Sequence, residues 1–377
     1  MIPAIFQQRL HHLLDVMERE EDRVADIILK ERKMPKLDPV KKKRLDYPVV
    51  LFPAEKVPLE WWYFTGHLRS GKKQFGFEYC FFKFHPQSLR MGFLPLSLMR
   101  KKPFLVYHGS ITDKTKKTFV AFQDSGLITK DNIAYDGVNV SLGKASLLLE
   151  NGAFKLRSQT VSLIAKPVKP LIKHFDEGFA LISKHPIQRT YYVTFPRLSV
   201  KGTLTSASKT YVVKGEAWFD HQKSNLPRRP RVIGWDWFSI IFDDNTELMF
   251  FVLRDEHGTV RSYLGGTYIQ KDASTLRLYP EEVTITLLHF WKSSKTGIIY
   301  PSGWRLQSQR IKLNITVQPC VQDQEIDALL TTPTSYWEGA CTVQGTKAGK
   351  AIKGNAYVEL VGYDKRLIAN VIKKSML

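Results

Sequence analysis

Five short segments of this 377-residue chain place carboxylic acids beside tryptophan and tyrosine, and these are the residues that could do acid chemistry. The segments are EWWYFTGHL (Glu60–Leu68), GEAWFDHQ (Gly215–Gln222), GWDWFSI (Gly234–Ile240), YWEGA (Tyr336–Ala340) and AYVELVGY (Ala356–Tyr363). A carboxyl group walled by apolar rings loses hydration, so its pKa rises and it can act as a general acid near neutral pH. The negative π face of tryptophan stabilises a developing cation. Carboxyl groups beside aromatic rings would therefore suit the protonation of an alkene.

The candidate catalytic acids are Asp220, Glu60 and Asp236. The candidate ligand-binding residues are the rings and polar side chains beside them: Trp61, Trp62, Tyr63, His67, Trp218, His221, Trp235, Trp237, Trp337, Glu338, Tyr357 and Glu359. The alternative interpretation is structural, with the rings filling a core and the acids accepting hydrogen bonds from backbone or indole N–H groups.

Strand alternation predicts which of these side chains share a face. Glu60 falls on the same face as Trp62, and Trp218 on the same face as Asp220, so we expect each pair inside a barrel or at its rim. Trp237 and Asp236 are adjacent and point to opposite sides. Asp236 is therefore interpreted as a structural acceptor between domains.

Several familiar catalytic motifs are missing. There is no G-x-S-x-G elbow, no H-E-x-x-H and no dinucleotide fingerprint, and Gly345–Lys350 lacks the spacing of a phosphate-binding loop. The three cysteines, Cys80, Cys320 and Cys341, form no C-x-x-C pair and are expected to be buried thiols. We expect no cofactor and no metal.

The formal net charge is +20, carried in short basic runs such as Lys41–Arg44 and Lys114–Lys117. Such an excess attracts anionic surfaces, and an anionic membrane is one alternative partner. No zinc-finger or helix-turn-helix signal is present, so nucleic acid is not expected. No signal peptide and no run of 18 apolar residues is visible, which predicts a cytoplasmic protein, with membrane association as an alternative.

The elements that must position these residues are mostly strands. Apolar residues at helical spacing predict an amphipathic helix within the first thirty residues, followed by a proline-rich linker. From Glu60 onward, short aromatic and β-branched runs, punctuated by hairpin signals such as Asn151-Gly152, predict an all-β sandwich or barrel. The predicted division is 1–45 for the helix and linker, 46–232 for a first domain and 233–377 for a second.

The five segments, in this order, resemble the lipocalin-like family of the bacterial AttH proteins and carotenoid 1,2-hydratases, a group often labelled predicted secreted hydrolases. Fungal kievitone hydratases and lipocalin-like Diels–Alderases are similar at greater distance. The resemblance spans about Pro58 to Tyr363. It implies two consecutive lipocalin-like antiparallel β-barrels and a hydrophobic, isoprenoid- or lipid-like ligand. It does not assign the family's catalytic acid to one residue of this chain.

Two hypotheses follow from the residues and the resemblance. The enzyme hypothesis is cofactor-free hydration or isomerisation of the apolar ligand by acid catalysis, a hydro-lyase activity. The alternative is a non-catalytic carrier or sensor of an apolar ligand, or a membrane-surface protein. A carrier needs its buried carboxyls satisfied, whereas an acid catalyst needs one carboxyl that is desolvated and directed at the ligand.

Overall fold

A computed structural model of the chain describes residues 46–86, 90–91, 94–95, 102–181, 189–225, 232–255, 260–329, 331–332 and 334–364. The N-terminal helix predicted within residues 1–45 lies outside these residues. So do the basic run Lys41–Arg44 and the tail after Asp364.

The described residues form 26 strands. In chain order they are β1 Leu59–Ser70, β2 Lys73–Phe84, β3 Arg90–Met91, β4 Leu94–Pro95, β5 Phe104–Asp113, β6 Thr118–Leu127, β7 Asn139–Leu142, β8 Ala145–Glu150, β9 Ala153–Arg157, β10 Val161–Pro167, β11 Ile172–Lys173, β12 Phe179–Leu181, β13 Arg189–Ser206, β14 Lys209–Ser224, β15 Val232–Phe242, β16 Glu247–Asp255, β17 Val260–Ile269, β18 Thr275–Leu278, β19 Thr284–Leu287, β20 Phe290–Lys292, β21 Ile299–Pro301, β22 Trp304–Ser308, β23 Leu313–Pro319, β24 Glu325–Ile326, β25 Tyr336–Lys347 and β26 Lys350–Val361. Helical structure in the described residues is confined to short 3-10 turns such as Val49–Leu51 and Pro280–Glu282, and none could cross a membrane.

Two large antiparallel sheets organise the strands. The first has the order β6-β5-β2-β1-β14-β13-β10-β9-β8-β7, with β11 and β12 also on β13. The second has the order β18-β17-β16-β15-β26-β25-β23-β22-β19, with β24 on β25. Each sheet curls into a near-barrel, which confirms the predicted all-β, lipocalin-like architecture. The division into domains at 232/233 stays a prediction.

The hairpin signals in the sequence have the expected geometry. Asn151 and Gly152 join β8 to β9 with φ values of 50° and 71°. Positive φ at both central residues of a two-residue loop is the type I′ arrangement, whose twist matches that of the strands it joins.

Each near-barrel is filled by its own inward-facing side chains. Large rings such as Trp62, Phe64 and Phe219 form the first core, and Phe238, Trp304 and Trp337 contribute to the second. Residue alternation explains this, because every second side chain of a strand turns to the inside of the sheet.

A third apolar cluster lies between the two sheets. It joins Tyr63 and Trp218, which belong to strands of the first sheet, to Trp237, Met249 and Phe251 of the second. The strands that carry these residues therefore bury both of their faces, one inside a barrel and the other against the neighbouring sheet.

A buried ion cluster also joins the sheets. Glu247 of β16 accepts hydrogen bonds from Arg197 Nε and Lys169 Nζ, each at 2.7 Å. Arg197 also donates from Nη1 to Glu216 Oε1 at 2.8 Å and from Nη2 to the Phe242 carbonyl at 2.8 Å. Arg197 lies on β13 of the first sheet and Lys169 just after β10 of the same sheet, whereas Glu247 lies on β16 of the second, so the cluster fixes one sheet against the other.

Candidate functional site between the two sheets

Strand register brings polar and aromatic side chains into one row on the outer face of the first sheet. Thr194 pairs with Asp220, Asp220 with Tyr63, Tyr63 with Cys80, and Cys80 with His108. Directly opposite residues of antiparallel strands point to the same face. Five strands thus contribute one side chain each to this row.

A second row on the facing sheet completes the inter-sheet site. Phe251 pairs with Trp237, Trp237 with Glu359, and Glu359 with Glu338. Tyr63 donates a hydrogen bond from its hydroxyl to Glu338 Oε1 at 2.7 Å, and its ring meets the Trp237 ring edge-on at 5.3 Å. The two rows are therefore in direct contact.

Asp220 is the centre of a hydrogen-bonded chain of rings. Trp218 Nε1 donates to Asp220 Oδ1 at 2.6 Å, and the Tyr192 hydroxyl donates to Oδ2 at 2.6 Å. Trp237 Nε1 in turn donates to the Tyr192 hydroxyl at 2.9 Å. Burial raises the pKa of Asp220 to about 7, and the donated hydrogen bonds oppose a larger shift. Both oxygens are occupied, so Asp220 has no atom free to face a ligand.

Glu338 is different because one of its oxygens is free. It is fully buried, and its Oε2 has no hydrogen-bond partner among the described residues. Burial raises the pKa of Glu338 well above its usual range, and the carboxyls of Glu359 and Glu78 raise it further. The shift favours the protonated form of this carboxyl.

Two more carboxyls share this environment. Burial raises the pKa of Glu359 to about 7, although Trp235 Nε1 donates to its Oε2 at 2.7 Å. Burial and the neighbouring Glu359 raise the pKa of Glu78 to about 8. Glu78 Oε1 accepts from the Tyr336 hydroxyl at 3.4 Å, while its Oε2 has no hydrogen-bond partner in the described ranges of the chain. Like charges in a shared apolar site cannot all ionise, so the set retains protons.

Histidine and lysine border the site. Burial lowers the pKa of His108 to about 3, so this ring is neutral, and its Nδ1 lies 2.7 Å from the Tyr336 hydroxyl. His67 Nε2 lies 3.0 Å from the Ala356 carbonyl oxygen, and its Nδ1 contacts Lys114 Nζ. Lys114 begins one of the basic runs that the sequence suggested for an anionic surface, but it is half-buried against the site.

The expected position of Trp218 and Asp220 inside a barrel is wrong. They share a face, as predicted, but that face is the outer one, covered by the second sheet. The inter-sheet site also contains five other predicted ligand-binding residues with side chains on this face: Tyr63, Trp235, Trp237, Glu338 and Glu359. His67 and Tyr357 lie beside it, with ring centroids 5.5 Å apart.

Glu60 sits elsewhere, at one end of the first barrel. Its Oε2 accepts from the Ala54 N–H at 2.9 Å and lies 3.0 Å from Lys83 Nζ, while its Oε1 is 3.3 Å from His221 Nε2. Burial alone would raise the pKa of Glu60, but the cations of Lys83 and Lys223 hold it at about 2. Glu60 is therefore ionised and holds no proton to give at neutral pH.

Several other predicted residues belong to the barrel interiors. Trp62 lies in the first core, stacks on His221 at 5.0 Å and donates from Nε1 to the Leu51 carbonyl at 3.0 Å. Trp337 lies in the second core. Trp61 is half-buried and packs against the edge of the inter-sheet cluster.

Asp236 is not between the domains, contrary to the expectation. It points opposite to Trp237, as predicted, and so turns to the inner face of the second barrel. There it is ion-paired with Arg254 and accepts from the Tyr363 hydroxyl at 3.0 Å. Asp236 therefore serves a structural ion pair.

The sequence missed Glu78, Tyr192 and His108 as site residues. They lie in ordinary aromatic strand runs outside the five segments. Only their register with Thr65, Gln222 and Cys80 brings them to the site. Within the described residues, no group of histidine, cysteine and carboxylate side chains could hold a metal ion.

Comparisons with known proteins agree with this architecture. The sequence model described as AttH-like matches residues 38–363. The chain is similar to the crystal structure of an AttH protein from Nitrosomonas europaea, with 25% identity over 87% of this chain and 100% of that one and a TM-score of 0.76. No curated protein sequence matches.

Two further solved structures share the fold. Kievitone hydratase from Nectria haematococca is 16% identical over 86% of this chain and 95% of its own, with a TM-score of 0.65. The structure of CghA is 11% identical over 87% and 95%, with a TM-score of 0.55. At these identities the likeness concerns the fold alone.

Proposed function

Because the chain belongs to the AttH-like family, we propose that it is a hydratase-like, cofactor-free acid catalyst acting on an unsaturated, isoprenoid-like ligand in the inter-sheet site. The observation that carries the proposal is the fully buried carboxyl of Glu338, whose pKa burial raises well above its usual range. Its Oε2 is buried with no hydrogen-bond partner among the described residues, its Oε1 accepts from the Tyr63 hydroxyl, and the Tyr63 ring contacts the Trp237 ring. The similarity of fold to a kievitone hydratase supports the same class of reaction.

In the proposed reaction, Glu338 transfers its proton to one carbon of a C=C bond. The π electrons form the new C–H bond and leave a carbocation on the neighbouring carbon. The faces of Tyr63 and Trp237 stabilise that cation. A water oxygen then bonds to the cationic carbon and loses a proton to the Glu338 carboxylate. The net change is addition of H and OH across the double bond, and the acid is regenerated.

Glu78 and Glu359 have a supporting role in this scheme. Their proximity raises the pKa of Glu338, which keeps the proton on it before the ligand arrives. Asp220, with both oxygens occupied, orients Trp218 and Tyr192 instead of touching the ligand. It is a positioning residue.

The test incubates the wild-type protein with kievitone and, separately, with an acyclic carotenoid in D2O, followed by mass spectrometry. We expect a product heavier by one D2O, with one deuterium bound to carbon. Glu338→Gln should lower the rate by at least about 100-fold, the scale of a lost general acid. Glu150→Gln is the matched control, because Glu150 is an exposed residue paired only with Lys155 on the surface. A Glu338→Gln variant as active as wild type would refute the assignment.

A non-catalytic carrier is the second candidate, and the satisfied oxygens of Asp220 favour it. A carrier should co-purify with an apolar ligand and leave it unchanged. Native mass spectrometry of protein from its own host, combined with the D2O assay, separates the two functions: bound ligand without deuterium incorporation supports the carrier.

A further inference from the structure

A tight loop between β11 and β12 covers one edge of the inter-sheet site. Within it, Phe175, Glu177 and Gly178 have φ values of 58°, 49° and 93°. A left-handed conformation is uncommon for a residue as bulky as phenylalanine, and such strained residues concentrate at ligand clamps. The Phe175 ring packs on the inter-sheet apolar cluster. The loop therefore holds an unfavourable backbone conformation in order to present His174 and Phe175 at this edge.

His174 connects the loop to both sheets. Its ring is fully buried, with its centroid 4.3 Å from that of Tyr192, the partner of Asp220. Its Nδ1 lies 2.8 Å from Thr267 Oγ1 of the second sheet. Its Nε2 is buried and has no partner among the described residues. With the threonine hydroxyl donating to Nδ1, Nε2 carries an N–H that lacks an acceptor.

Arg277 supplies a positive charge at the same edge. Register places it directly opposite Thr267, so the two side chains share the face that meets the first sheet. The guanidinium carbon lies 5.5 Å from the Phe175 ring centroid and 5.0 Å from that of Tyr279. Its Nε is buried without a hydrogen-bond partner in the described part of the chain. A guanidinium always carries its charge and offers a planar fork of donors.

Among the described residues, no carboxylate accepts a hydrogen bond from the buried Nε of Arg277. The loop carries two acidic residues, Asp176 and Glu177, and Glu177 is 3.6 Å from Lys173 and mostly exposed. The unpaired Arg277 Nε is a donor, and so is His174 Nε2 in the tautomer in which Thr267 donates to Nδ1; both residues contact the Phe175 ring. Two unpaired donors, one of them charged, match the paired oxygens of a carboxylate.

We propose that Arg277 and His174 form a carboxylate-binding subsite, so that the ligand of the inter-sheet site is an amphipathic acid with an isoprenoid-like chain. This inference rests on the proposed function for the position of the apolar chain. The carboxylate would lie at the loop edge, between Arg277 and His174. The apolar chain of the ligand would extend past Tyr192 and Trp237 towards Glu338.

The test compares two probes that differ only in the head group, farnesoic acid and farnesol. Quenching of intrinsic tryptophan fluorescence reports binding, because Trp218 and Trp237 lie in the site with centroids 6.4 Å apart. We expect the acid to bind wild-type protein on the order of tenfold more tightly than the alcohol, the factor that 1.4 kcal/mol gives. Arg277→Gln and His174→Phe should each reduce this preference, while binding of farnesol stays unchanged.

Arg305→Gln is the matched control, since Arg305 is an exposed arginine on β22 of the same sheet. Equal affinity of wild type for acid and alcohol would overturn the subsite while leaving the apolar site intact. A preference that survives Arg277→Gln would overturn it as well. Selective binding of the acid without hydration of any probe would uphold the subsite and refute the proposed catalysis. Failure of both probes to bind would count against both proposals.

Discussion

The raised pKa of Asp220 has a measurable consequence for stability. Its ordinary pKa of 3.8 rises to about 7 in the folded protein. Between these values the native state binds a proton that the unfolded state does not. Stability therefore falls as pH rises from the unfolded value through the folded one. This is the reverse of the usual behaviour of an ion-paired aspartate.

The size of the effect follows from the two pKa values. Relative to the fully ionised limit, this titration adds about 2.7 kcal/mol to the free energy of unfolding at pH 5 and less than about 0.1 kcal/mol at pH 8. Asp220→Asn removes the titrating group. It also leaves one of the two donors, Trp218 or Tyr192, without an acceptor, which costs about 1–3 kcal/mol at every pH.

The assay is urea unfolding of wild type and Asp220→Asn at pH 5, 6, 7 and 8. Subtracting the two curves cancels the titrating groups that do not interact with Asp220. The stability advantage of wild type should shrink by about 2.6 kcal/mol from pH 5 to pH 8. An advantage that stays constant to within about 0.5 kcal/mol would refute the argument that burial holds a proton on Asp220.

Three further variants test the contacts that hold the two sheets together and the buried ion pair of the first barrel. Glu247→Ala leaves the buried Lys169 without its carboxylate and Arg197 with Glu216 alone, so the free energy of unfolding in urea should fall by about 3–5 kcal/mol; a loss below about 1 would contradict a buried ion cluster. Gly76→Val drives a side chain into Ala340 of the facing sheet, because a Cβ at Gly76 would already lie 2.6 Å from that residue's Cβ. The melting temperature should fall, and an unchanged value would mean that the sheets are not in close contact there. Glu60→Gln should abolish the stability that wild type loses as pH falls from 4.5 towards 2, and an identical acid-unfolding profile would refute the ion pair.

The fold could be predicted from the sequence because its signals are local. Aromatic and β-branched runs separated by turn residues define antiparallel strands, and Asn151-Gly152 specifies its own turn. The pairing of side chains along a strand, such as Trp218 with Asp220, was also correct, since alternation has a fixed period of two.

The side of the sheet on which the site lies could not be predicted. Apolar residues occupy both faces of the central strands, so alternation does not distinguish the inside of a barrel from the face that the other sheet covers. The ionic state of Glu60 depends on Lys83 and Lys223, which only pairing across β2 and β14 brings near. Glu78 has no local signature at all, and its role arises when Glu359 is placed beside it.

The position of the site between two sheets has one more consequence. If the sheets separated far enough for water to reach Glu78, Glu338 and Glu359, each carboxyl would regain hydration and release its proton. Closing of the sheets is therefore coupled to uptake of protons from the solvent. The position of that equilibrium would shift with pH, and a buffer of higher pH would favour the open arrangement. The carboxyls of the site would hold a proton to donate only while the two sheets are closed.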